Sequence, residues 1–171
     1  MTGLLVSVVI PLYNAEEWIA ATIRRVLDQT VEPGTLDVIV VDNGSTDRGV
    51  EIAKQTLERG NAAFEIIPIG ENRGPSFARN AGWRRSRAPW IQFLDSDDLL
   101  LPDKVSLQLA AALAATPEVA AIYSEWQSFE QTGGEWNPVP PVRSPQLGDD
   151  AVLNLLQDEN FIHTGSQLFN T

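Results

Sequence analysis

The stretch WIQFLDSDD, residues 90–98, joins an apolar run to a cluster of three aspartates. A run that ends at Leu94 is typical of a buried strand, and Pro102 is typical of the first position of the next helix. The aspartates are therefore predicted to lie in a loop at the carboxyl end of a strand. In open α/β sheets this edge is where ligands bind.

Two of these acids, Asp95 and Asp97, are one residue apart. Carboxylates at this spacing can point towards one hard cation, Mg²⁺ or Mn²⁺, whose coordination is completed by phosphate oxygens and water. The alternative is that Asp97 or Asp98 caps the following helix and the other acids are solvated. This stretch alone leaves both interpretations open.

Strands and helices are predicted to alternate along the chain. Apolar, β-branched runs predict strands at residues 4–12, 36–41, 64–69, 90–94 and 118–126, and helical periodicity follows each of the first four runs. Asn14 and Glu17 are predicted to form a capping box at the first helix, and Pro75 is predicted to open the third. This order predicts an α/β fold with a parallel sheet and right-handed crossovers.

The character of the chain changes after residue 126. A hairpin turn is predicted at residues 132–134, a loop with four prolines at 136–145, a short helix at 149–157 and one more strand at 161–169. We therefore divide the chain into an α/β domain at residues 1–126 and a further region of the same domain at 127–171.

Composition excludes several classes of function. The chain has 171 residues and a formal net charge of -11, which argues against binding to a nucleic acid backbone. With 0 cysteines it has no thiolate metal site and no catalytic cysteine. No apolar run is long enough to span a bilayer, so we expect a soluble segment in the cytoplasm or at the inner face of the membrane.

The loops that follow successive parallel strands should share one edge, which would gather Tyr13, Asp42, Arg73 and the acidic cluster in one crevice. Such a set suits a nucleoside diphosphate: Tyr13 can stack on the base, Asp42 can accept from a base N–H, and Asp95 can accept from the ribose. Each residue has a structural alternative: packing for Tyr13, a turn or a cap for Asp42, and a surface position or an ion pair for Arg73 and for Arg79.

Four segments together resemble the family 2 nucleotide-sugar glycosyltransferases, which have the GT-A fold. They are VSVVIPLYN at residues 6–14, VVDNGSTD at 40–47, NRG at 72–74 with ARNAG at 78–82, and FLDSDD at 93–98. They occur in the family's order and cover roughly residues 5–126.

The resemblance implies roles for particular residues. Asp95 and Asp97 would be the Asp-x-Asp pair, with Asp97 binding Mn²⁺ or Mg²⁺ directly. Pro11, Tyr13 and Asp42 would line the nucleoside pocket, usually for uridine, and Arg79 would lie near the diphosphate. The donor would then be a nucleotide sugar, with a UDP-sugar expected.

The resemblance also implies inverting transfer to a hydroxyl of a glycan, lipid or protein acceptor, in cell-surface polysaccharide or glycolipid assembly. The family's base comes from a Glu-Asp segment, which we expect beyond Thr171, with the acceptor part truncated; Asp158 and Glu159 come too early. His163, Trp126 and Trp136 are candidate acceptor-side contacts, with packing as the alternative.

A non-catalytic nucleotide-sugar binding module stays open as an alternative function. A nucleotidyltransferase is disfavoured because no Gly-rich basic loop follows the first strand.

Overall fold

The computed structural model describes residues 3–132, 135–143 and 163–171. The strands are β1 (Val6–Leu12), β2 (Leu36–Asp42), β3 (Ala63–Pro68), β4 (Trp90–Phe93), β5 (Ala121–Tyr123), β6 (Trp126–Thr132), β7 (Glu135–Arg143) and β8 (Gln167–Asn170). The helices are α1 (Ile19–Leu27), α2 (Gly49–Glu58), α3 (Pro75–Arg85) and α4 (Lys104–Ala114), and a 3-10 turn spans Thr164–Ser166.

A six-stranded sheet in the order β3-β2-β1-β4-β8-β5 organises the molecule. β1 pairs in parallel with β2 and β4, and β2 pairs in parallel with β3. Every residue of β1 is buried, as expected for a central strand covered on both faces. α1, α2 and α4 contribute apolar residues to one face of the sheet, and α3 covers the other. The predicted α/β fold is therefore confirmed.

Small residues bring α3 close to the sheet. Ala78 and Gly82 are the buried residues of this helix. A Cβ atom placed on Gly82 would lie 2.3 Å from Val9 Cγ1, so a larger side chain there requires Val9 or the helix to shift. The close helix-to-sheet packing follows from these two positions.

The sheet departs from an all-parallel arrangement at one strand. β8 lies between β4 and β5 and runs antiparallel to both. The fifth strand is also shorter than predicted, because Trp126 begins the separate β6–β7 hairpin. Residues 127–171 thus supply a strand to the main sheet.

Two predictions in the later part of the chain are wrong. The proline-rich segment at 136–145 is largely strand β7, because the φ angle of proline suits extended backbone and the hairpin needs N–H donors on one side only. The strand at 161–169 begins only at Gln167, after the 3-10 turn. The tip of the hairpin at 133–134 and the helix at 149–157 lie outside the described residues, as do Asp158 and Glu159.

The helix starts were predicted with mixed success. α3 begins at Pro75, as expected. α4 begins at Lys104 with Asp103 as its N-cap residue, so neither Pro102 nor an acid of the 95–98 loop starts it. The capping box of Asn14 and Glu17 is also wrong: α1 begins at Ile19, and no side chain among the described residues caps it. Among the described residues, no helix is long and apolar enough to cross a bilayer.

Candidate functional site

The carboxyl ends of β1, β2 and β4 form the edge of the candidate site. Leu12 is the register partner of Asp42, so Tyr13 follows β1 directly beside the end of β2. β4 ends earlier along the sheet: its last residue, Phe93, is the register partner of Val9, and the Leu94 N–H donates to the Val9 carbonyl at 3.0 Å. The acidic loop that follows Leu94 therefore starts alongside the last residues of β1.

Hydrogen bonds fasten the loop after β1 to the loop after β2. Asn14 Oδ1 accepts from the Thr46 N–H at 2.8 Å, and Glu16 Oε2 accepts from the Arg48 N–H at 2.9 Å. In the other direction, the Glu16 N–H donates to Asp47 Oδ2 at 2.9 Å. Asn14 adopts a φ of 48°, which Asn tolerates better than most residues. The residue predicted to cap a helix thus joins two loops.

A second set of bonds fastens the β2 loop to the loop before α3. Asn43 Oδ1 accepts from the Arg73 N–H at 3.0 Å, and Asn43 Nδ2 donates to Asn72 Oδ1 at 3.0 Å. The same Asn72 oxygen accepts from the Gly74 N–H at 2.9 Å. These amides come from segments that sequence analysis identified only as turns.

The residues predicted to bind a nucleoside lie together on this edge. Pro11 is buried, and Tyr13 is 46% exposed. Asp42 is partly buried, and its Oδ1 accepts from the Ser45 N–H at 2.8 Å. This bond is the turn contact that was the structural alternative for Asp42, and it occupies one of the two carboxylate oxygens.

The acidic loop is held at three points by different parts of the chain. Arg79 of α3 forms an ion pair with Asp95. Thr22 Oγ1 of α1 donates to the Ser96 carbonyl at 2.9 Å. His163 Nε2, just before the 3-10 turn, lies 3.5 Å from Asp98 Oδ2. Two of the three carboxylates are thus matched with basic side chains.

Asp97 differs from its two neighbours. Its side chain is exposed, and within the described ranges it makes no hydrogen bond or ion pair. No group of three or more potential metal-binding side chains occurs in those ranges either. The acidic loop can therefore offer a cation one or two carboxylates. Mg²⁺ is commonly bound by one or two protein carboxylates when phosphates and water supply its other ligands.

Asp98 occupies a more enclosed position than Asp97. Burial raises the pKa of Asp98 to about 6, against the opposing effect of His163, while the neighbouring charges of Asp95 and Asp97 push the pKa in the same upward direction. The imidazole of His163 also packs against Trp126, with ring centroids 5.2 Å apart. His163 therefore contacts both Asp98 of the acidic loop and Trp126 of β6.

Two buried glutamines lie beneath this arrangement. Gln92 Nε2 donates to the Gly165 carbonyl at 3.0 Å, and Gln108 Nε2 donates to the Ser166 carbonyl at 2.8 Å. Gln92 Oε1 in turn accepts from Lys104 Nζ. A glutamine inside the apolar run 90–94 was the available signal that this strand carries a polar contact, and sequence analysis did not use it.

Comparison with known proteins settles the family. The family described as "Glycosyl transferase family 2" matches residues 7–170. The chain belongs to this glycosyltransferase family. It is 39% identical over 152 residues to TuaG of Bacillus subtilis, a protein named provisionally as a teichuronic acid biosynthesis glycosyltransferase, which covers 89% of this chain.

Solved structures support the same fold. The mannosyltransferase PcManGT of Pyrobaculum calidifontis, in complex with GDP-Man and Mn²⁺, superposes with a TM-score of 0.61 at 28% identity over 68% of this chain. TarS 1–349 of S. aureus, in complex with UDP, gives a TM-score of 0.57 at 28% identity over 64% of this chain. The chain spans 58% of the length of TuaG, 34% of PcManGT and 31% of that TarS chain.

Proposed function

We propose that this chain is the nucleotide-sugar-binding part of a metal-dependent, inverting glycosyltransferase with a UDP-sugar donor. The observation that carries the proposal is the acidic loop, where Asp95 and Asp98 are paired with basic side chains and Asp97 is exposed without a protein partner among the described residues. The neighbours solved with UDP and with GDP-Man and Mn²⁺ support a nucleotide and a divalent cation at this edge.

The residues fit a hard divalent cation. Asp97 would hold Mn²⁺ or Mg²⁺ directly, because its carboxylate oxygens are exposed and such cations prefer oxygen ligands. Asp95 would be the second acid of the pair, on the inner side of the loop. When bound, the cation acts as a Lewis acid that neutralises charge on the departing diphosphate.

The nucleoside would lie on the edge formed by β1 and β2. Tyr13 presents an exposed ring next to Asp42, and Pro11 forms the buried floor beside them. The ring would stack on uracil, and the Asp42 carboxylate would accept from a base N–H. The interlocked loops hold these groups in place before the ligand arrives, which lowers the entropic cost of binding.

Arg79 would contribute next to the diphosphate through its contact with Asp95. The ion pair fixes the Asp95 carboxylate, so that its remaining acceptor capacity can be offered to the ribose or to the cation. Arg79 Nε is buried and has no hydrogen-bond partner within the described residues, so the guanidinium has one N–H donor that its contact with Asp95 does not use.

The proposed acceptor is a hydroxyl group on a growing cell-surface glycan. In support, the relative TuaG is named provisionally for teichuronic acid biosynthesis. In the inverting reaction, a carboxylate on the opposite side of the sugar ring removes the acceptor proton.

Calorimetric titration of UDP tests the proposal. With Mn²⁺ present, the wild-type chain should bind UDP, and both EDTA and Asp97→Ala should abolish binding. The matched control is Asp28→Ala, since Asp28 is exposed at the end of α1 on the opposite edge of the sheet and should leave the affinity unchanged. A UDP affinity that neither EDTA nor Asp97→Ala changes would overturn the metal-dependent proposal.

A further inference from the structure

His163, which immediately precedes the 3-10 turn, contacts the acidic loop at Asp98. Its Nδ1 accepts from the Gly165 N–H at 3.2 Å and is therefore unprotonated. The proton of the neutral ring then lies on Nε2, which is the atom 3.5 Å from Asp98 Oδ2. The hydrogen bond to Gly165 thus selects the tautomer that can donate to Asp98.

Asp98 has a matching requirement. Its Oδ2 is buried and accepts no hydrogen bond from the described residues, and a buried carboxylate oxygen without a donor is costly. The side chains of His163 and Asp98 are 29% and 32% exposed, so the contact is only partly screened by water. A small approach of the two groups would turn the contact into a charge-assisted hydrogen bond.

The turn that follows His163 is held by hydrogen bonds from several elements. Gln92 and Gln108, from β4 and α4, bind the carbonyls of Gly165 and Ser166. The His163 carbonyl accepts from the Ser166 N–H at 2.9 Å. A Cβ atom on Gly165 would lie 3.3 Å from His163 Nδ1 and 3.4 Å from Asp98 Oδ2, which leaves little space for a side chain there.

We infer that His163 is a positioning residue: its Nε2–H holds Asp98, and this contact fixes the loop so that Asp97 is presented to the cation. The inference deepens the proposed function and rests on it for the role of Asp97. The loop then has one anchor on each side, Arg79 at Asp95 and His163 at Asp98, with Asp97 between them. His163 itself touches neither cation nor nucleotide in this arrangement.

Three substitutions separate the contact with Asp98 from the fold of the turn. His163→Gln keeps an N–H donor that can reach Asp98. His163→Asn keeps an acceptor for the Gly165 N–H but is too short to reach Asp98. His163→Ala removes both groups. In calorimetry of UDP with Mn²⁺, His163→Ala and His163→Asn should weaken affinity about tenfold, as supporting residues around metal sites commonly do, and His163→Gln should restore most of the loss.

Nuclear magnetic resonance supplies a readout that does not depend on UDP. The chain has 1 histidine, so an untagged sample gives a single set of imidazole nitrogen resonances. These should show protonated Nε2 and unprotonated Nδ1, and Asp98→Asn should shift Nε2 more than Nδ1. Backbone amide signals of residues 95–98 should move in His163→Ala and His163→Asn and stay near wild type in His163→Gln.

The outcomes distinguish this inference from the proposed function. If wild type fails to bind UDP with Mn²⁺, the proposed function fails, and the amide and imidazole signals still decide whether His163 positions the loop. If the Asn and Gln variants behave alike, or if His163→Ala leaves both affinity and the 95–98 signals unchanged, the positioning role is overturned. Thermal unfolding of each variant identifies any loss of affinity that comes from unfolding.

Discussion

Arg79 on α3 forms an ion pair with Asp95 at the end of β4, and this contact connects the helix on one face of the sheet to the acidic loop. The Arg79 side chain is 21% exposed and that of Asp95 is 33% exposed, so the pair is less screened than a surface salt bridge. The arginine expected near the diphosphate thus has a protein partner of its own.

We expect Arg79→Ala to weaken the binding of UDP with Mn²⁺ about tenfold, because Asp95 loses the guanidinium group that orients its carboxylate. Arg79→Lys should recover only part of this loss, since an ammonium group cannot reproduce the planar guanidinium. Arg84→Ala is the matched control, as Arg84 is exposed on the same helix. Calorimetry measures the affinities, and equal affinity for wild type and Arg79→Ala would contradict the prediction.

Tyr13 offers a test of base stacking that should not disturb the fold, because its ring is 46% exposed. Tyr13→Ala should cost about 1–3 kcal/mol of UDP binding free energy, the range seen for single base–aromatic stacks, and Tyr13→Phe should retain most of the affinity. Trp83→Ala is a fair control, because Trp83 is also 46% exposed but lies towards the end of α3. A Tyr13→Ala protein that binds UDP as tightly as wild type would assign the ring to packing.

Sequence alone predicted the parallel part of the sheet well, and the reason is local. β1 and β2 are apolar, β-branched runs, and such runs have few alternatives to a strand buried on both faces. The acidic loop was placed correctly for the same reason, since its position follows from the end of β4. The prolines of β7 gave a wrong loop prediction, because turn and strand both accommodate their backbone angles.

The contacts that hold the candidate site could not be predicted from the sequence. His163 and Asp98 are distant in the chain, and they meet only because β8 enters the sheet beside β4. Asn14 resembled a helix cap locally, and its real partner, the Thr46 N–H, belongs to another loop. Propensities describe neighbours in sequence, whereas these side chains are paired by topology.

Gly44 provides a test of how the loops are fastened. It has a φ of 81°, and an added Cβ would lie 2.7 Å from the Glu71 carbonyl carbon, so Gly44→Ala must strain the residue and also push two backbones apart. Gly34→Ala is the matched control: Gly34 has a φ of 82°, but no atom of the described residues lies within 4 Å of its added Cβ.

We expect Gly34→Ala to lower the free energy of unfolding by about 1–2 kcal/mol, the cost of a left-handed backbone for a residue with a Cβ. Gly44→Ala should lower it further and should also weaken UDP binding, since the loops after β2 and β3 would separate. Urea denaturation measures the difference. Equal destabilisation of the two variants would show that the close approach at Glu71 carries no energetic weight.

Lys104 gives the chain a predictable dependence on pH. Burial lowers its pKa from 10.5 to about 7, and its Nζ donates to Gln92 Oε1. Between about pH 7 and pH 10 the unfolded chain therefore binds more protons at this residue than the folded chain does, so the contribution of Lys104 to stability rises with pH. Below the folded pKa both states are charged, and the contribution is constant at its least favourable value.

The free energy of unfolding of wild type, relative to Lys104→Met, should accordingly increase from about pH 7 to pH 10, with a slope of up to about 1.4 kcal/mol per pH unit. Lys54→Met is the control, because Lys54 lies on the surface of α2, where its side chain is 63% exposed, and its removal should leave the pH profile unchanged. Asp98, with its pKa of about 6, titrates below this window.

Denaturation curves at a series of pH values provide the measurement. Parallel profiles for wild type and Lys104→Met would mean that the ammonium group of Lys104 stays charged in the folded protein. Its contact with Gln92 would then place a full positive charge beside β4, just before the acidic loop.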